Sequence, residues 1–320
     1  MKVSVLVPVY NVEQYIERCA RSLFEQTLQD VEFIFVDDCS PDNSIAVLER
    51  VIKEYPQRHV RIIKHMENKG LSAARKTAYE NALGKYWICC DSDDWTEPNM
   101  YERMLNAAEK ENADIICCGF ITEGATSQEV RYDYTFESKN EILDPNRFGW
   151  IYGAQWNKLV RADLFREHHI MPVESVSMWE DSCVTLPLRL LSKKTVILKD
   201  CLYHYNVENI SSICHQVSTK QVESQARAIR HIEHFLTENG FAKVALPLIN
   251  RLKVEMASPL FDNFSKENIL LLKSLVPDLN VWKVNQWNFR TKLGHWFVLK
   301  LPVALTIRLR NLKKSLKHPI

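Results

Sequence analysis

Residues 86–95 read YWICCDSDDW, an apolar run that ends in three carboxylates within four residues. Such a run predicts a buried strand that carries its acids at the carboxyl end. In open α/β sheets, ligands bind in the crevice beyond that end of the strands. Three neighbouring carboxylates repel one another, and a hard cation such as Mg²⁺ or Mn²⁺ would compensate their charge. The alternative is a solvated acidic turn, in which Asp94 or Thr96 caps the following helix.

Strands and helices alternate on the amino-terminal side of this stretch. The predicted strands are apolar or β-branched runs, at 3–10, 31–36 and 60–64. The predicted helices between them carry one apolar face, at 15–24, 45–55 and 71–83. Gly84 is expected to end the third helix as its C′ residue. This alternation predicts a doubly wound, mostly parallel α/β sheet of the Rossmann-like kind.

The chain continues in the same style and then changes. A helix at 98–110 and a strand at 114–119 follow, and 120–156 is irregular and aromatic-rich. A strand is predicted at 196–205, and a helical extension follows residue 218. There is no GxGxxG after the first strand and no GxxxxGK[ST] in the chain, so the usual phosphate cradles of dinucleotide enzymes and P-loop NTPases are missing. Phosphates would need a metal instead.

Composition and charge describe a globular chain with an uneven charge distribution. The 320 residues are 46% hydrophobic and 25% charged, with a net charge of +1. Residues 281–320, which we call the basic tail, contain nine Lys/Arg and no Asp/Glu, so the rest is mildly acidic. Its apolar part, 293–309, is short for a membrane span and suggests an interfacial segment. The alternative is a terminal helix packed on the body. No nucleic-acid partner is expected, and the oligomeric state stays open.

The cysteines and the amino terminus suggest a cytoplasmic protein. Adjacent pairs at 89–90 and 117–118 lie in strand-like runs, where neighbours point to opposite faces and cannot bridge. No CxxC spacing indicates a zinc or redox site. The chain enters its first strand directly, without the apolar region of a signal peptide.

Several short motifs share one order with a known family. They are Pro8-Val9-Tyr10-Asn11, Val36-Asp37-Asp38-Cys39-Ser40, Asn68-Lys69-Gly70 with Ala74-Arg75, Asp91-Ser92-Asp93-Asp94-Trp95, and Glu180-Asp181. As a set they resemble the family-2 inverting glycosyltransferases of the GT-A fold, of the bacterial surface-polysaccharide type, over about residues 1–205. The resemblance implies a nucleotide-sugar-binding half (1–112) and an acceptor-binding half (113–215), and the helical pattern beyond them predicts a helical carboxyl-terminal region (216–320).

The resemblance assigns roles to the donor side. The nucleotide-sugar-binding residues would be Pro8, Val9, Tyr10, Asp38, Asn68, Arg75, Asp91 and Ser92. In this scheme Asp38 bonds the uracil, although an Asx-turn is the alternative for the Asp37–Asp38 pair. Arg75 lies near the base, ribose or diphosphate, and a structural ion pair is its alternative. Asp93 is the principal ligand of Mn²⁺ or Mg²⁺.

The resemblance also assigns the chemistry and the acceptor side. Asp181 matches the general base that takes the proton of the acceptor hydroxyl, and a helix N-cap is its alternative. Asp94, Trp156, Lys158 and Glu180 are the acceptor candidates, with core packing at least as plausible for Trp156. His204 is expected to be structural.

Two departures from the family pattern matter. Cys39 replaces a glycine that commonly follows the second acid, so the turn is expected to be altered. The processive signature Gln-x-x-Arg-Trp is missing, which indicates addition of a single sugar. The chain would then be a cytoplasmic enzyme, peripheral at the inner face of the plasma membrane. It would move one sugar from a nucleotide-diphosphate donor, with UDP as the expected nucleotide, to a glycan or lipid-linked acceptor. The alternatives are a polyprenyl-phosphate glycosyltransferase, a sugar-nucleotide pyrophosphorylase without its Gly-rich loop, and a non-catalytic nucleotide-sugar-binding protein.

Overall fold

The computed structural model describes residues 1–124, 127–133, 135–147, 153–209, 218–262, 265–283 and 289–308. They form two compact units, one of residues 1–142 and 147–216 and one of residues 143–146 and 217–320. The division of the first unit into donor and acceptor halves remains a prediction.

The first unit begins with four parallel strands in the order β3-β2-β1-β4. They are β1 Val3–Val9, β2 Val31–Asp37, β3 His59–Lys64 and β4 Tyr86–Cys89. The helices between them are α1 Ile16–Phe24, α2 Ser44–Glu54 and α3 Leu71–Asn81. Every residue of β1 and β2 is buried, as expected for central strands covered on both faces. The predicted strands and helices are therefore present here.

The sheet continues through strands of mixed direction in the order β4-β8-β6-β9-β5. These strands are β5 Trp95–Thr96, β6 Ile115–Glu123, β7 Gln128–Arg131, β8 Lys158–Arg161 and β9 Thr195–Asn206. The helices are α4 Met100–Glu111, α5 Lys139–Ile142, α6 Ala162–Glu167 and α7 Glu180–Leu191. Strand β8 runs antiparallel to both of its neighbours, β9 is parallel to β6, and β7 pairs with β6.

Two apolar clusters cover the two faces of this sheet. Alternate residues of β1 separate between them, so that Val5 lies in one cluster and Leu6 in the other. Helices α1 and α4 contribute to the first cluster, and α3, α6 and α7 to the second. This two-sided burial is the doubly wound arrangement that the sequence predicts. It leaves the carboxyl ends of β1, β2 and β4 at one edge.

The second unit consists of helices. They are α8 Thr219–Glu238, α9 Ala242–Asp262, α10 Lys266–Leu275 and α11 Phe289–Lys300, with a 3-10 turn at Val281–Lys283. A capping box between Ser218 and Gln221 begins α8. Within the described ranges, no helix is both long enough and apolar enough to cross a bilayer. Residues 309–320 of the basic tail lie outside the described residues.

Gly84 does not cap α3 as predicted. The helix ends at Asn81, Ala82 is already extended, and Gly84 is absent from the described glycines with positive φ. A glycine is required at position 84 because the backbone there passes very close to β1. An added Cβ would lie 2.6 Å from the backbone nitrogen of Ser4 and 2.7 Å from the carbonyl carbon of Val3. The chain therefore needs a glycine here to enter β4 alongside β1.

Gly84→Ala is expected to lower the free energy of unfolding by about 1–3 kcal/mol, because backbone atoms must move to admit the methyl group. Gly294→Ala is the matched control, since the Cβ would meet nothing within 4 Å in helix α11. Its substitution should be neutral or stabilising by up to about 1 kcal/mol. Urea unfolding measures both. Equal stability of Gly84→Ala and wild type would contradict the close-approach explanation.

Candidate active site

A cleft of about 490 Å³ lies at the carboxyl ends of β1, β2 and β4, in the first unit. Its walls come from the strand ends, the start of α3, residues 153–156 and the start of α7. Twelve of the predicted site residues line it, namely Pro8, Val9, Tyr10, Asp38, Asn68, Arg75, Asp91, Ser92, Asp93, Trp156, Glu180 and Asp181. The structure brings these together, and it places Asp94 and Lys158 elsewhere.

The turn after β2 divides two roles between neighbouring acids. Asp37 accepts a hydrogen bond from the Ser40 backbone at 2.9 Å, which closes the turn. Asp38 lines the cleft but is only 3% exposed, and it accepts hydrogen bonds from the backbone nitrogens of Lys69, at 2.9 Å, and Gly70, at 2.7 Å, while Nδ1 of His65 lies 2.7 Å from its Oδ1. Cys39 follows these two acids and has φ of 60°, the left-handed region that a glycine adopts most easily. The turn therefore holds Cys39 in a conformation in which a glycine would be unstrained.

Arg75 joins three parts of the chain beneath the cleft. Its side chain is 1% exposed, and it bonds Asp91 at 2.8 Å, Glu180 at 3.0 Å and Asp181 at 2.5 Å. Burial alone would lower the pKa of the guanidinium, but the three carboxylates hold it well above the ordinary value. The ion-pair alternative is therefore present in the structure, and Arg75 also lines the cleft.

Two acids begin α7, which directs its amino terminus at the cleft. Trp179 precedes them with φ of 65°, a rare conformation for a large side chain and one found at functional sites. Burial, together with the charge of Asp181, raises the pKa of Glu180 to about 8. Burial also raises the pKa of Asp181, while Arg75 opposes that rise. Such perturbed carboxyls in a cleft are typical of functional sites.

The acidic stretch after β4 presents one acid that fits a metal. Burial and the nearby charge of Asp91 raise the pKa of Asp93, which a cation would reverse. The amide of Asn209 bonds its carboxylate at 2.8 Å. Within the described part of the chain, no group of three or more His, Cys, Asp or Glu side chains could hold a metal ion. Mg²⁺ often takes one or two carboxylates and completes its shell with water and substrate phosphates, so Asp93 fits such a partial site.

Asp94 and Lys158 point away from the cleft, contrary to the acceptor role predicted for them. Asp94 is fully buried and accepts from the Tyr203 hydroxyl at 2.6 Å and the Asn206 backbone at 2.8 Å, because the turn after β4 reverses its direction. Lys158 is 2% exposed and pairs with Asp133 at 3.0 Å. Both side chains are therefore paired within the part of the sheet that has strands of mixed direction.

The two aromatic candidates are mainly packing residues. Trp156 is 3% exposed and stacks on Tyr203, with ring centroids 4.4 Å apart, although its edge lines the cleft. His204 stacks on Trp95 and lies between Glu123 at 2.7 Å and Glu97 at 2.9 Å. It is not among the described cleft residues, in agreement with a structural histidine.

Sequence reasoning missed several residues of the site. Gln155 bonds Asp181 at 2.7 Å and Tyr79 at 2.6 Å from behind the cleft wall. Gly153 packs against α7, where a Cβ would lie 2.8 Å from the Ser182 hydroxyl. Asn209 reaches Asp93 from the end of β9. No local pattern identifies these residues, since they lie in irregular segments that only tertiary packing brings to the acids.

Sequence comparisons relate the chain to known glycosyltransferases. The profile of glycosyl transferase family 2 matches residues 4–168. The chain is 31% identical over 291 residues to EpsH of Bacillus subtilis, which is named as a glycosyltransferase. That alignment covers 88% of this chain and 78% of EpsH. The chain is also 32% identical over 211 residues to a poly(ribitol-phosphate) beta-glucosyltransferase of Bacillus spizizenii, covering 65% of this chain and 32% of that protein.

Solved structures show the same fold. TarS of S. aureus (residues 1–349), in complex with UDP-GlcNAc, has a TM-score of 0.72 at 18% identity, covering 99% of this chain and 92% of TarS. A mannosyltransferase of Pyrobaculum calidifontis, in complex with GDP-Man and Mn²⁺, has a TM-score of 0.52 at 13% identity, covering 97% and 87%. These likenesses confirm the predicted GT-A fold.

The raised pKa of Glu180, about 8, predicts a pH-dependent stability. An unfolded Glu titrates at about 4.3. Between the two values the folded protein retains a proton that the unfolded chain has released, so the free energy of unfolding falls as pH rises. Glu180→Gln is expected to make that fall shallower by up to about 1.4 kcal/mol per pH unit.

Urea unfolding across about pH 5 to 8 measures this slope. Glu174→Gln is the control, because Glu174 is an exposed acid, 57% exposed, paired with Lys76. It should leave the slope in this window unchanged. Parallel pH profiles for wild type and Glu180→Gln would contradict the prediction.

Proposed function

The chain belongs to glycosyltransferase family 2, and we propose that it transfers one sugar, with inversion, from a UDP-sugar to a glycan or lipid-linked oligosaccharide. The observation that carries this proposal is the convergence of Asp38, Asp93 and Asp181 on one cleft, from three separate elements. A donor-binding acid, a metal-binding acid and a base are what such a transfer requires. Residues 1–112 would bind the donor and residues 113–215 the acceptor.

In this proposal Asp181 is the general base. Inversion occurs by one in-line displacement at the anomeric carbon, so a carboxylate must take the proton of the acceptor hydroxyl as it attacks. The Asp181 side chain is 24% exposed, lines the cleft and has both of its described hydrogen bonds on Oδ1. Its Oδ2 has no hydrogen-bond partner among the described residues and is available to the acceptor.

The donor would lie between the ends of β1 and β2, with its diphosphate near Asp93. Tyr10 is 46% exposed at the cleft and offers a flat surface to a base, and Asp38 offers a carboxylate. Asp93 would hold Mn²⁺ or Mg²⁺. Such an ion, when bound, stabilises the negative charge of a departing diphosphate. TarS, a structural neighbour, binds UDP and UDP-GlcNAc, which supports UDP and a hexosyl or N-acetylhexosaminyl group.

The acceptor is proposed to belong to surface-polysaccharide assembly. Relatives of this chain include a poly(ribitol-phosphate) beta-glucosyltransferase and a minor teichoic acid biosynthesis protein, GgaB. The missing Gln-x-x-Arg-Trp signature supports non-processive addition of a single sugar. Of the four acceptor candidates, Glu180 and Trp156 line the cleft, and Asp94 and Lys158 are not among the described residues that line it. Glu180 and the edge of Trp156 are therefore the acceptor contacts in this proposal.

Calorimetric titration with UDP and with GDP, each with and without Mn²⁺, tests the donor side. We expect UDP to bind in a metal-dependent manner, and Asp93→Asn to remove the dependence on Mn²⁺. Asp181→Asn should bind UDP normally but transfer sugar at least about 100-fold more slowly, because the proton acceptor is lost. Metal-dependent binding of GDP alone would move the donor to GDP-sugars. Sugar transfer by Asp181→Asn at the wild-type rate would contradict the assignment of Asp181 as the general base.

We also propose that the basic tail contacts an anionic membrane at the inner face of the plasma membrane. Lys313, Lys314 and Lys317 would contribute on the order of 1 kcal/mol each near such a surface. The protein should co-float with vesicles containing phosphatidylglycerol and not with phosphatidylcholine vesicles. Replacing the three lysines by serine should weaken flotation at constant sugar transfer. Unchanged flotation of that variant would contradict tail docking.

A further inference from the structure

The proposed base is held on one side only. Oδ1 of Asp181 accepts hydrogen bonds from Arg75 at 2.5 Å and from the amide of Gln155 at 2.7 Å. Both donors approach from the protein interior, since Arg75 is 1% and Gln155 4% exposed. The two bonds restrict rotation of the carboxylate, which leaves Oδ2 as the oxygen that can meet an acceptor hydroxyl.

Gln155 is itself oriented by a buried tyrosine. The Tyr79 hydroxyl donates to the carbonyl oxygen of the Gln155 amide at 2.6 Å, and the Cys89 thiol lies 3.7 Å from the same oxygen. If the Gln155 amide were flipped, its oxygen would face the Asp181 carboxylate, which is also an acceptor. The bond from the Tyr79 hydroxyl therefore favours the orientation in which the NH₂ group faces Asp181. Tyr79 is 3% exposed and packs edge-on to Trp87, so the hydroxyl is fixed as well.

We propose that Gln155, oriented by Tyr79, is a positioning residue that keeps Asp181 ionised and aims its Oδ2 at the acceptor. This inference rests on the proposed function, in which Asp181 is the base. Gln155 is not among the described residues that line the cleft, so it acts through Asp181 and not on the substrate. Nothing in the motif pattern marks it.

The contact also distinguishes the two neighbouring acids. Glu180 shares Arg75, at 3.0 Å, but receives no bond from Gln155. A hydrogen bond to the ionised form favours that form, so Gln155 stabilises the charge of Asp181 and not that of Glu180. The charged groups that face Asp181 are Arg75 on α3, Asp91 after β4, Glu180 on α7 and Lys158 on β8.

Gln155→Leu tests the inference, because it keeps the volume and removes the donor. Transfer is measured from a UDP-sugar to the acceptor, and the acid limb of the pH profile of kcat is followed. The carboxyl carbon of Asp181 is titrated in parallel by ¹³C NMR, assigned with Asp181→Asn. We expect both midpoints to rise by roughly one pH unit and kcat at neutral pH to fall about tenfold, with the donor KM unchanged.

Two further variants separate positioning from stability. Tyr79→Phe keeps the ring and removes the hydroxyl, so it should shift both midpoints in the same direction by less. Gln26→Leu is the matched control, since Gln26 is also buried, at 1% exposure, but bonds Thr96 and the Glu97 carbonyl. It should lower the melting temperature and leave the Asp181 titration in place.

The outcomes distinguish the inference from the function on which it rests. If wild type transfers sugar, Asp181→Asn does not, and Gln155→Leu leaves both midpoints unmoved, the inference is wrong and the proposed function stands. A fall in kcat with an unmoved titration also overturns it, because a structural defect explains that result. If wild type transfers no sugar, or Asp181→Asn transfers normally, the proposed function fails and the inference fails with it.

Discussion

One buried guanidinium holds this site together. Arg75 comes from α3, and its three carboxylate partners come from the end of β4 and the start of α7, so a single side chain fixes the spacing between a strand end and a helix end. Removing one partner from a buried ion pair typically costs about 3–5 kcal/mol, because the other charges stay uncompensated. The geometry of the cleft floor therefore depends on Arg75.

This network is costly for a protein that needs only stability. Replacing a buried ion pair by apolar side chains is often neutral or stabilising, so a cluster of this kind suggests another use. Here the guanidinium compensates acids whose pKa burial raises, and it does so without filling the cleft. Its cost is consistent with keeping Asp181 charged in a place where an isolated carboxyl would hold its proton.

The sequence predicts the parallel half of the sheet well, because β1, β2 and β4 are apolar runs that end in recognisable polar motifs. Asp38, Asp91 and Asp181 could be found from those motifs, and the structure places them on one cleft. The sequence could not show that Asp94 is buried while its neighbour Asp93 lines the cleft, because the turn after β4 sets the direction of each side chain. Nor could it show that Lys158 pairs with Asp133, which lies 25 positions earlier in an irregular segment. The role of Gln155 follows from its hydrogen bonds to Tyr79 and Asp181, which are far from it along the chain and which only the fold brings together.

The charge of the cleft limits which ligands it can accept. Among the described residues that line it, five are acids, Asp38, Asp91, Asp93, Glu180 and Asp181, and the cationic side chain is Arg75, already paired with three of them. A diphosphate would add negative charge to a surface that is negative already. In the proposed function, positive charge arrives with the donor as a metal ion, and it would favour the ionised form of Asp93, whose pKa is raised by burial and by Asp91. On this proposal, a bare nucleotide diphosphate would bind weakly without a cation, because it would meet like charges in the cleft, and donor affinity would depend on the protonation of the acids around Arg75.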